Sequence, residues 1–281
     1  MFERENQQVY VPDGSDPLEA LGRTTHLCVA AHQDDIEIMA VDGILRAFDD
    51  PEIHFSGCIV SDGRGFPKKG HYEQFSPDEL VAIRNQEQKN AARIGHYSAQ
   101  VFLGYPSKEV KNPGNQDLID DLRELLRLTQ PDVIYTHNPA DKHPTHIGVL
   151  LRLLEALRGM PRELQPKQLL GCEAWRDLDW LPDDKKVLFD LSSHKQLQKE
   201  LVEVFESQIE GGKDYTGASL GRRAAHATFF QSHATDTVNA MGFGMDLTPL
   251  LDDPQLDPAT FVKSLLLEFQ QEVLDLIEKT K

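Results

Sequence analysis

Short apolar runs alternate with amphipathic segments along the first half of the chain. Runs typical of buried strands lie at residues 26–31, 53–61, 100–103 and 132–136. Segments with helical spacing lie between them, at residues 36–48, 76–94 and 117–129. Consecutive parallel strands need crossovers that place helices on both faces of the sheet. The pattern therefore predicts an α/β fold with a mostly parallel sheet between two helical layers, three layers in all.

The predicted helix that begins near residue 77 has the clearest boundaries. Ser76 is a typical N-cap, Pro77 suits the first helical position, and Glu79 completes a capping box. Gly95 is placed to end this helix, because glycine readily adopts the conformations that terminate helices.

The alternation continues with a helix at residues 148–158, a strand-like run at 187–191 and a long helix at 193–208. A last helix, at residues 259–279, carries a stripe of apolar side chains. They are Phe261, Leu265, Phe269, Val273 and Leu276. Because such stripes are usually core faces, we expect this helix to dock on its own domain rather than at a dimer contact.

The chain is expected to form one domain. Residues 1–24 are polar and rich in turn formers, which predicts an N-terminal extension that wraps the body rather than a core element. Residues 25–281 contain no repeat, low-complexity segment or obvious linker. We predict a single domain there, with a helical C-terminal segment from about residue 209.

Charge and composition exclude several classes of partner. The 281 residues include 29 Lys and Arg against 46 Asp and Glu, a net charge of −17, which disfavours nucleic acid and anionic membrane surfaces. The apolar runs are far shorter than the ~20 residues that span a bilayer. The N-terminus has no signal-peptide pattern, and the three cysteines are isolated, so we expect a cytoplasmic protein.

The first group of chemically active residues directly follows the first long strand. It contains His32, Asp34 and Asp35, with Glu37 two residues further on. Ligands of open α/β sheets bind at the carboxyl ends of the strands, where this group is placed. An imidazole and a carboxylate are suited to a divalent metal, while the second Asp takes a proton. The alternative is that Asp34 or Asp35 only caps the next helix.

A second group follows the fourth strand and favours the metal interpretation. Residues 136–146 hold three histidines and Asp141, and both groups end strands of the same predicted sheet. Catalytic zinc sites use three protein ligands and an open fourth position. His32, Asp35 and His146 would supply these ligands, which leaves Asp34 and His143 for proton transfer.

Both groups resemble the signature motifs of the LmbE-like or PIG-L N-acetylglucosaminyl de-N-acetylases. The family motifs are His-Pro-Asp-Asp and His-Pro-Asp-His, and they stand here as residues 32–35 and 143–146. The resemblance spans about residues 25–208. It includes further short matches at 61–63, at Arg84 and Glu87, at 190–192 and at 207–208. It implies a Rossmann-like, LmbE-like fold.

The resemblance also implies roles for single residues. His32, Asp35 and His146 would hold zinc, and Asp34 would be the general base. His143 would stabilise the oxyanion and assist the leaving amine, and Arg84 would contact sugar hydroxyls.

The chain departs from the family pattern at two positions beside these residues. Gln33 replaces the usual proline, which is expected to loosen the loop. Thr145 replaces an aspartate that orients the catalytic histidine, so Asp141 is a candidate substitute for it. The third departure is at residues 39–43, where this chain has fewer glycines than its relatives.

Two arginines and two tryptophans in the second half are further candidates. Arg222 and Arg223 are able to clamp a phosphate or carboxylate through bidentate hydrogen bonds. The alternative, which we favour, is that they pair with some of the 46 acidic side chains. Trp175 and Trp180 suit stacking on a sugar face as well as they suit the core or a rim contact.

These observations predict a metal-dependent hydrolase that removes an acetyl or other acyl group from an N-acetylated amino sugar or its conjugate. The expected cofactor is one Zn²⁺ per chain, and Fe²⁺ also suits nitrogen and oxygen ligands. The expected partner is this small molecule, with no nucleic acid or membrane, and a homo-oligomer is left open. The alternatives are a metal-dependent phosphoesterase and a catalytically silent sugar-binding or regulatory relative.

Overall fold

The computed structural model describes residues 4, 6–65 and 69–281. Within these ranges the chain forms an eight-stranded sheet. The strands are β1 (Gln8–Tyr10), β2 (His26–Ala30), β3 (Phe55–Ser61), β4 (Ala99–Tyr105), β5 (Val133–His137), β6 (Gln168–Cys172), β7 (Lys186–Asp190) and β8 (Met241–Asp246).

Helices connect these strands. They are α1 (Pro17–Gly22), α2 (Asp35–Met39), α3 (Val41–Asp49), α4 (Pro77–Ile94), α5 (Ser107–Val110), α6 (Gln116–Thr129), α7 (Pro144–Arg158), α8 (Lys195–Glu203), α9 (Glu206–Glu210), α10 (Tyr215–Phe229), α11 (Pro249–Asp252) and α12 (Pro258–Thr280). Short 3₁₀ helices lie at Gly70–Gln74, Arg162–Leu164 and Asp183–Lys185. Among the described helices, none combines the length and the apolar character needed to span a membrane.

The strand order is β1-β4-β3-β2-β5-β6-β8-β7. Strands β4, β3, β2, β5 and β6 pair in parallel, whereas β1 and β8 run antiparallel to their neighbours. The chain winds outward from β2 through β3 and β4, and then returns to place β5 on the other side of β2. Such a reversal of strand order opens a crevice at the carboxyl ends of the two central strands.

Side chains that alternate along β2 enter two separate cores. Leu27 and Val29 join the apolar cluster that α6 and α7 cover, whereas Cys28 and Ala30 join the cluster beneath α2, α3 and α4. Successive side chains of a strand point to opposite faces, so each face of the sheet acquires its own helical layer. The predicted α/β fold with a mostly parallel sheet and helices on both faces is confirmed.

The predicted capping box of α4 is present. The Ser76 Oγ accepts a hydrogen bond from the Glu79 N–H at 3.3 Å, and the Glu79 carboxylate accepts from the Ser76 N–H at 2.8 Å. Two predicted helices are instead interrupted. The segment 36–48 divides into α2 and α3 at Ala40, and the segment 193–208 divides into α8 and α9.

The N-terminal residues were wrongly predicted to stay outside the core. β1 adds an antiparallel edge strand to β4, and Ala20 and Leu21 of α1 are completely buried. The part beyond residue 209 is likewise not only helical, because β8 inserts between β6 and β7. In both cases pairing with distant strands outweighed a weak local pattern.

The prediction that α12 docks on its own domain is confirmed only for the start of the helix. Leu265 is buried, and Phe261 is half-buried, but every residue from 266 onward is exposed. Leu276 has 68% of its surface accessible. Helical spacing identifies which face is apolar, but it does not determine what covers that face.

Candidate active site

A cavity of about 420 Å³ opens at the carboxyl ends of the parallel strands. Its walls come from the segments that follow successive strands of the sheet. They include His32 after β2, Gly63 after β3, Ser107 after β4, His143 after β5 and Trp175 after β6. The cavity therefore lies at the crevice that the strand order creates, as expected for a ligand site in this type of sheet.

The loop after β2 turns sharply at Asp34. Its backbone has φ of 87°, a conformation that residues other than glycine rarely adopt. Asp34 occupies the N-cap position of α2, but its side chain forms no capping hydrogen bond. The capping alternative therefore does not account for Asp34. Strain of this kind concentrates where the surrounding structure holds a residue for function.

Gln33 is anchored in this loop. Its side chain is buried, and its Nε2 donates to the Asn85 Oδ1 at 2.7 Å. This hydrogen bond fixes the Gln33 side chain, and the expected loosening of the loop stays a prediction.

His32 and Asp35 line the cavity, and both lie next to the fully buried His146. The Asp35 Oδ2 lies 3.2 Å from the His32 Nδ1 and 3.3 Å from the His146 Nε2. The two imidazole nitrogens lie 3.3 Å apart. The Asp35 Oδ2 also accepts from the His32 N–H at 2.8 Å, which fixes the carboxylate relative to the loop.

These separations fit a bound metal ion. Ligand atoms at ~2.1 Å from a tetrahedral ion stand ~3.4 Å from one another. Burial acts to raise the pKa of Asp35, but the surrounding histidines hold it well below its ordinary value. Burial likewise lowers the pKa of His146, yet Asp35 and Asp141 raise it to about 9. The carboxylates of Asp35 and Asp141 thus favour a positive charge next to the His146 imidazole.

His137 is a member of the site to which sequence reasoning gave no role. It is fully buried, its ring stacks on His146 with centroids 3.8 Å apart, and its Nε2 lies 3.6 Å from the Asp35 Oδ2. Two groups of three residues therefore have ligand atoms close enough to hold one ion: His32 with His143 and His146, and Asp35 with His137 and His146. The His137 Nε2, however, accepts from the Ala31 N–H at 2.9 Å. With that lone pair engaged, His137 supports the site and supplies no ligand atom.

Asp141 supports His146 and not the ring of His143. Its Oδ2 lies 3.5 Å from the His146 Nδ1 and accepts from the Trp175 N–H at 3.0 Å. Its Oδ1 accepts from the backbone N–H of His143 at 2.9 Å. The expectation that Asp141 orients the His143 imidazole is therefore wrong, and the carboxylate instead orients a candidate metal ligand.

Asp34 and His143 face the same cavity from opposite groups. Burial, followed by the charge of Asp35, raises the pKa of Asp34 well above its ordinary value. His143 is half-buried, and its ring centroid lies 4.9 Å from that of His32. Burial and the nearby His146 and His32 lower the pKa of His143 to about 4.

Arg84 joins three loops beneath the cavity. Its guanidinium donates to the carbonyl oxygens of Gly63 and Gln33, at 2.5 and 3.4 Å. With its amide oxygen turned toward this group, Gln208 accepts from the Arg84 Nε at 2.7 Å. Arg84 lines the cavity, and contact with sugar hydroxyls stays a prediction.

The matched residues at 84–87 and 207–208 therefore meet in space. The Glu87 carboxylate accepts from both the N–H and the hydroxyl of Ser207, at 2.7 and 2.6 Å. These bonds fasten α4 to α9 next to the contact between Arg84 and Gln208.

Two accessory candidates lie outside the cavity. Glu37 is fully buried beneath the loop, where it accepts from Gln88 and Tyr97 at 2.7 Å, and burial raises its pKa to about 8. Arg223 is also buried and donates to Gln198 and to the carbonyl oxygens of Glu37 and Ile38. Both residues therefore have structural contacts rather than a place in the cavity.

Arg222 differs from its neighbour. It donates to the Ala174 carbonyl oxygen at 2.7 Å and lines a side pocket next to the main cavity. In the described part of the chain, neither Arg222 nor Arg223 forms an ion pair, so the favoured expectation that both pair with acidic side chains is wrong.

Several cavity residues carry no sequence signal that sets them apart. Lys111, Lys213 and Tyr215 line the cavity, and the Lys213 Nζ lies 5.0 Å from the centre of the Trp175 ring. Trp175 lies in the cavity wall, whereas Trp180 packs against the core. Of the two tryptophans, only Trp175 is therefore placed to contact a ligand in this cavity. Lysines in exposed loops are common, so only the folded chain reveals that these face the site.

Comparison with known proteins agrees with this geometry. Residues 27–157 match the PIG-L family, described as GlcNAc-PI de-N-acetylase. The matched range contains His32, Asp34, Asp35, Arg84, His137, Asp141, His143 and His146. No curated protein matches the sequence.

Solved structures share the fold at low sequence identity. The conserved protein TT1542 from Thermus thermophilus is 19% identical, with a TM-score of 0.63 over 83% of this chain and 99% of its own. The N,N'-diacetylchitobiose deacetylase from Pyrococcus horikoshii, complexed with its inhibitor MPG, is 19% identical, with a TM-score of 0.62 over 82% and 86%.

A third similar structure has a different activity. GalB, the 4-carboxy-2-hydroxymuconate hydratase from Pseudomonas putida, is 17% identical, with a TM-score of 0.59 over 80% of this chain and 96% of its own. The fold alone therefore does not decide the reaction. Residues 27–157 therefore match the PIG-L (LmbE-like) family, and the chain shares its fold with solved structures that include a deacetylase.

Proposed function

We propose that the protein is a metal-dependent N-deacetylase that acts on an N-acetylated amino sugar or a conjugate of one. The main support is the convergence of His32, Asp35 and His146 within 3.3 Å of one another, with Asp34 and His143 facing the same cavity. The family match and the deacetylase of similar fold agree with this reaction class.

His32, Asp35 and His146 would hold the metal, with zinc as the first choice and iron(II) as a second ion that such ligands accept. When bound, the ion would lower the pKa of a water ligand and polarise the acetyl carbonyl. Asp141 would keep the His146 imidazole oriented through its Nδ1.

Asp34 and His143 would carry the proton transfers. A carboxylate oxygen of Asp34 takes a proton from the attacking water, and a ring nitrogen of His143 stabilises the oxyanion by hydrogen bonding. Collapse of the tetrahedral species breaks the C–N bond. The proton that Asp34 took from the water passes to the departing nitrogen, directly or through His143, which yields the free amine and acetate. Without that proton, expulsion of the amine would be very slow.

Two features favour a single-metal hydrolase over a phosphoesterase with two metals. Both possible ligand groups in the described residues share His146, and the His137 nitrogen nearest to Asp35 is engaged by the Ala31 N–H. The ions of a two-metal site lie ~3.5–4 Å apart, and a single imidazole nitrogen, such as the one that both groups share, ligates only one ion. The three buried free cysteines agree with a reducing, cytoplasmic location.

The first experiment combines elemental analysis of the purified protein with assays of amine release. N-acetylglucosamine and its phosphorylated and glycosidic derivatives are the substrates. We expect about one metal per chain and amine release from at least one compound. Absence of bound metal after reconstitution would refute the proposal, and metal without any amine release would exclude this substrate class.

A further inference from the structure

We propose that the substrate carries an anionic group, a phosphate or a carboxylate, which binds beside Arg222 in the side pocket. The inference rests on the proposed function and specifies the class of substrate for the same site. It follows from the charges that line the two connected cavities and from the lack of ion-pair partners for Arg222 among the described residues.

The cavity lining has the opposite charge balance to the whole chain. The chain has 46 acidic and 29 basic residues, but the main cavity and the side pocket together contain only two acidic residues among those described, Asp34 and Asp35. Four basic residues line the same two spaces. They are Arg84, Lys111, Lys213 and Arg222. A concave site with one predominant sign of charge concentrates ligands of the opposite sign.

The two acidic residues do not offset this positive charge for a ligand. Asp35 lies 3.2 to 3.6 Å from nitrogens of His32, His146 and His137. Asp34 is buried next to the equally buried Arg84, and these two opposite charges act on each other. Lys111, Lys213 and Arg222 remain as the other cations of the lining.

Arg222 is the cation best placed to bind an anion directly. One of its terminal nitrogens donates to the Ala174 carbonyl oxygen, and no acidic side chain within the described ranges pairs with the guanidinium. The remaining N–H groups of the fork have no hydrogen-bond partner among the described residues, and Arg222 lines both the side pocket and a smaller pocket that contains Glu173. A guanidinium binds phosphate or carboxylate oxygens through two parallel hydrogen bonds.

The side pocket is within reach of a substrate in the main cavity. It has a volume of about 160 Å³ and shares four lining residues with the main cavity: Asp34, Asp35, Trp175 and Tyr215. A sugar whose acetamide lies at Asp35 would therefore extend another substituent toward Arg222. Trp175 forms the shared wall, and Lys213, over its ring, adds positive charge at the opening.

The test compares kcat/KM for neutral and anionic N-acetylated sugars. The neutral compounds are N-acetylglucosamine and N,N'-diacetylchitobiose. N-acetylglucosamine 1-phosphate and 6-phosphate test a phosphate, and N-acetylmuramic acid tests a carboxylate. We expect at least one anionic compound to exceed both neutral ones by roughly tenfold or more, as one charge-assisted hydrogen bond provides. Equal or lower values for all anionic compounds would overturn the proposal.

Variants of Arg222 identify the position of the anion. Arg222→Ala and Arg222→Gln should lower kcat/KM for the preferred anionic compound by roughly 10- to 100-fold and change the neutral compounds by less than about twofold. The Gln variant keeps a donor for the Ala174 carbonyl oxygen, which controls for loss of structure. Lys108→Ala is the matched control, because Lys108 is an exposed cation on α5 that does not line either cavity. Equal losses for neutral and anionic compounds would refute a role in anion binding.

A binding measurement separates this proposal from the deacetylase proposal. Calorimetric titration of the metal-loaded protein with N-acetylglucosamine 6-phosphate and with inorganic phosphate needs no turnover. If no compound releases amine but Arg222→Gln weakens anion binding about tenfold or more, the deacetylase proposal fails and the anion site stands. If the variant binds both probes as tightly as the wild type, the anion site beside Arg222 is refuted.

Discussion

The Asp35 Oδ2 lies 3.3 Å from the His146 Nε2, although the two residues belong to different connections of the sheet. Asp35 begins α2 directly after β2, and His146 lies in the first turn of α7, after β5. The parallel pairing of β2 with β5 brings the ends of both strands together. The site therefore depends on the strand order. A substitution in either connection tests the contribution of that connection alone.

We expect His146→Ala to lose the bound metal and all amide hydrolysis. His146 supplies one of three converging ligand atoms, and a two-ligand remnant should hold a divalent ion far more weakly. Elemental analysis after chelation and reconstitution checks the metal, and circular dichroism checks the fold. His233→Ala, at an exposed histidine outside the cavity lining, serves as the control. Full metal occupancy in a folded His146→Ala protein would contradict the ligand assignment.

Asp34→Asn is expected to keep the metal and to lower kcat by about 10²–10⁴-fold, the range that removal of a general base costs. The amide has nearly the shape of the carboxylate, so His32, Asp35 and His146 should still bind the ion. Metal content and kcat are measured on the same preparation. Activity equal to that of the wild type would show that Asp34 is not the base.

His137→Phe should destabilise the protein by ~1–3 kcal/mol, because the buried Ala31 N–H loses the acceptor that His137 provides. Urea unfolding measures this change. His137→Gln, whose amide oxygen can take the place of the Nε2, is expected to recover most of the stability. Equal stability of the Phe variant and the wild type would mean that this hydrogen bond contributes nothing.

Glu87 is expected to make folding stability depend on pH. Burial raises the pKa of Glu87, although its hydrogen bonds from Ser207 oppose this shift. A carboxyl whose folded pKa exceeds its unfolded pKa contributes stability below the unfolded value of ~4.3. That contribution is lost as the pH rises through the folded pKa.

Glu87→Gln cannot ionise, so its free energy of unfolding should decline less than that of the wild type as the pH rises above about 4. Urea unfolding at a series of pH values tests this difference. Glu203→Gln, at an exposed glutamate of α8, is the matched control. Parallel pH profiles for Glu87→Gln and the wild type would contradict the expected linkage.

Deletion of residues 270–281 should change the free energy of unfolding of the monomer by less than ~1 kcal/mol, because every deleted residue is exposed. Thermal unfolding of a dilute sample checks this. A loss of several kcal/mol would mean that the apolar face of α12 is covered in solution.

Sequence reasoning identified the two residue groups because each follows a strand of clear apolar pattern. The neighbourhood of His32 and His146 could be predicted, since parallel strands carry their carboxyl ends to one edge of a sheet. His137 was passed over because its hydrogen bond to Ala31 joins two strands, and no local pattern reveals such a bond. The interruption at Ala40 and the strand β8 were missed because packing with distant elements outweighs local propensity.

By itself, the sequence determined the α/β class, the parallel order of the central elements, the capped boundaries of α4 and the chemical nature of the site. These properties depend on periodicity, on caps and on residue types, which act over a few neighbouring positions. Only the tertiary structure decided that Asp141 faces His146, that Arg223 is buried while Arg222 lines a pocket, and that α12 leaves the body of the protein. The reason is physical: these contacts join segments far apart in the chain, and their distances are set by how the strands and helices pack together.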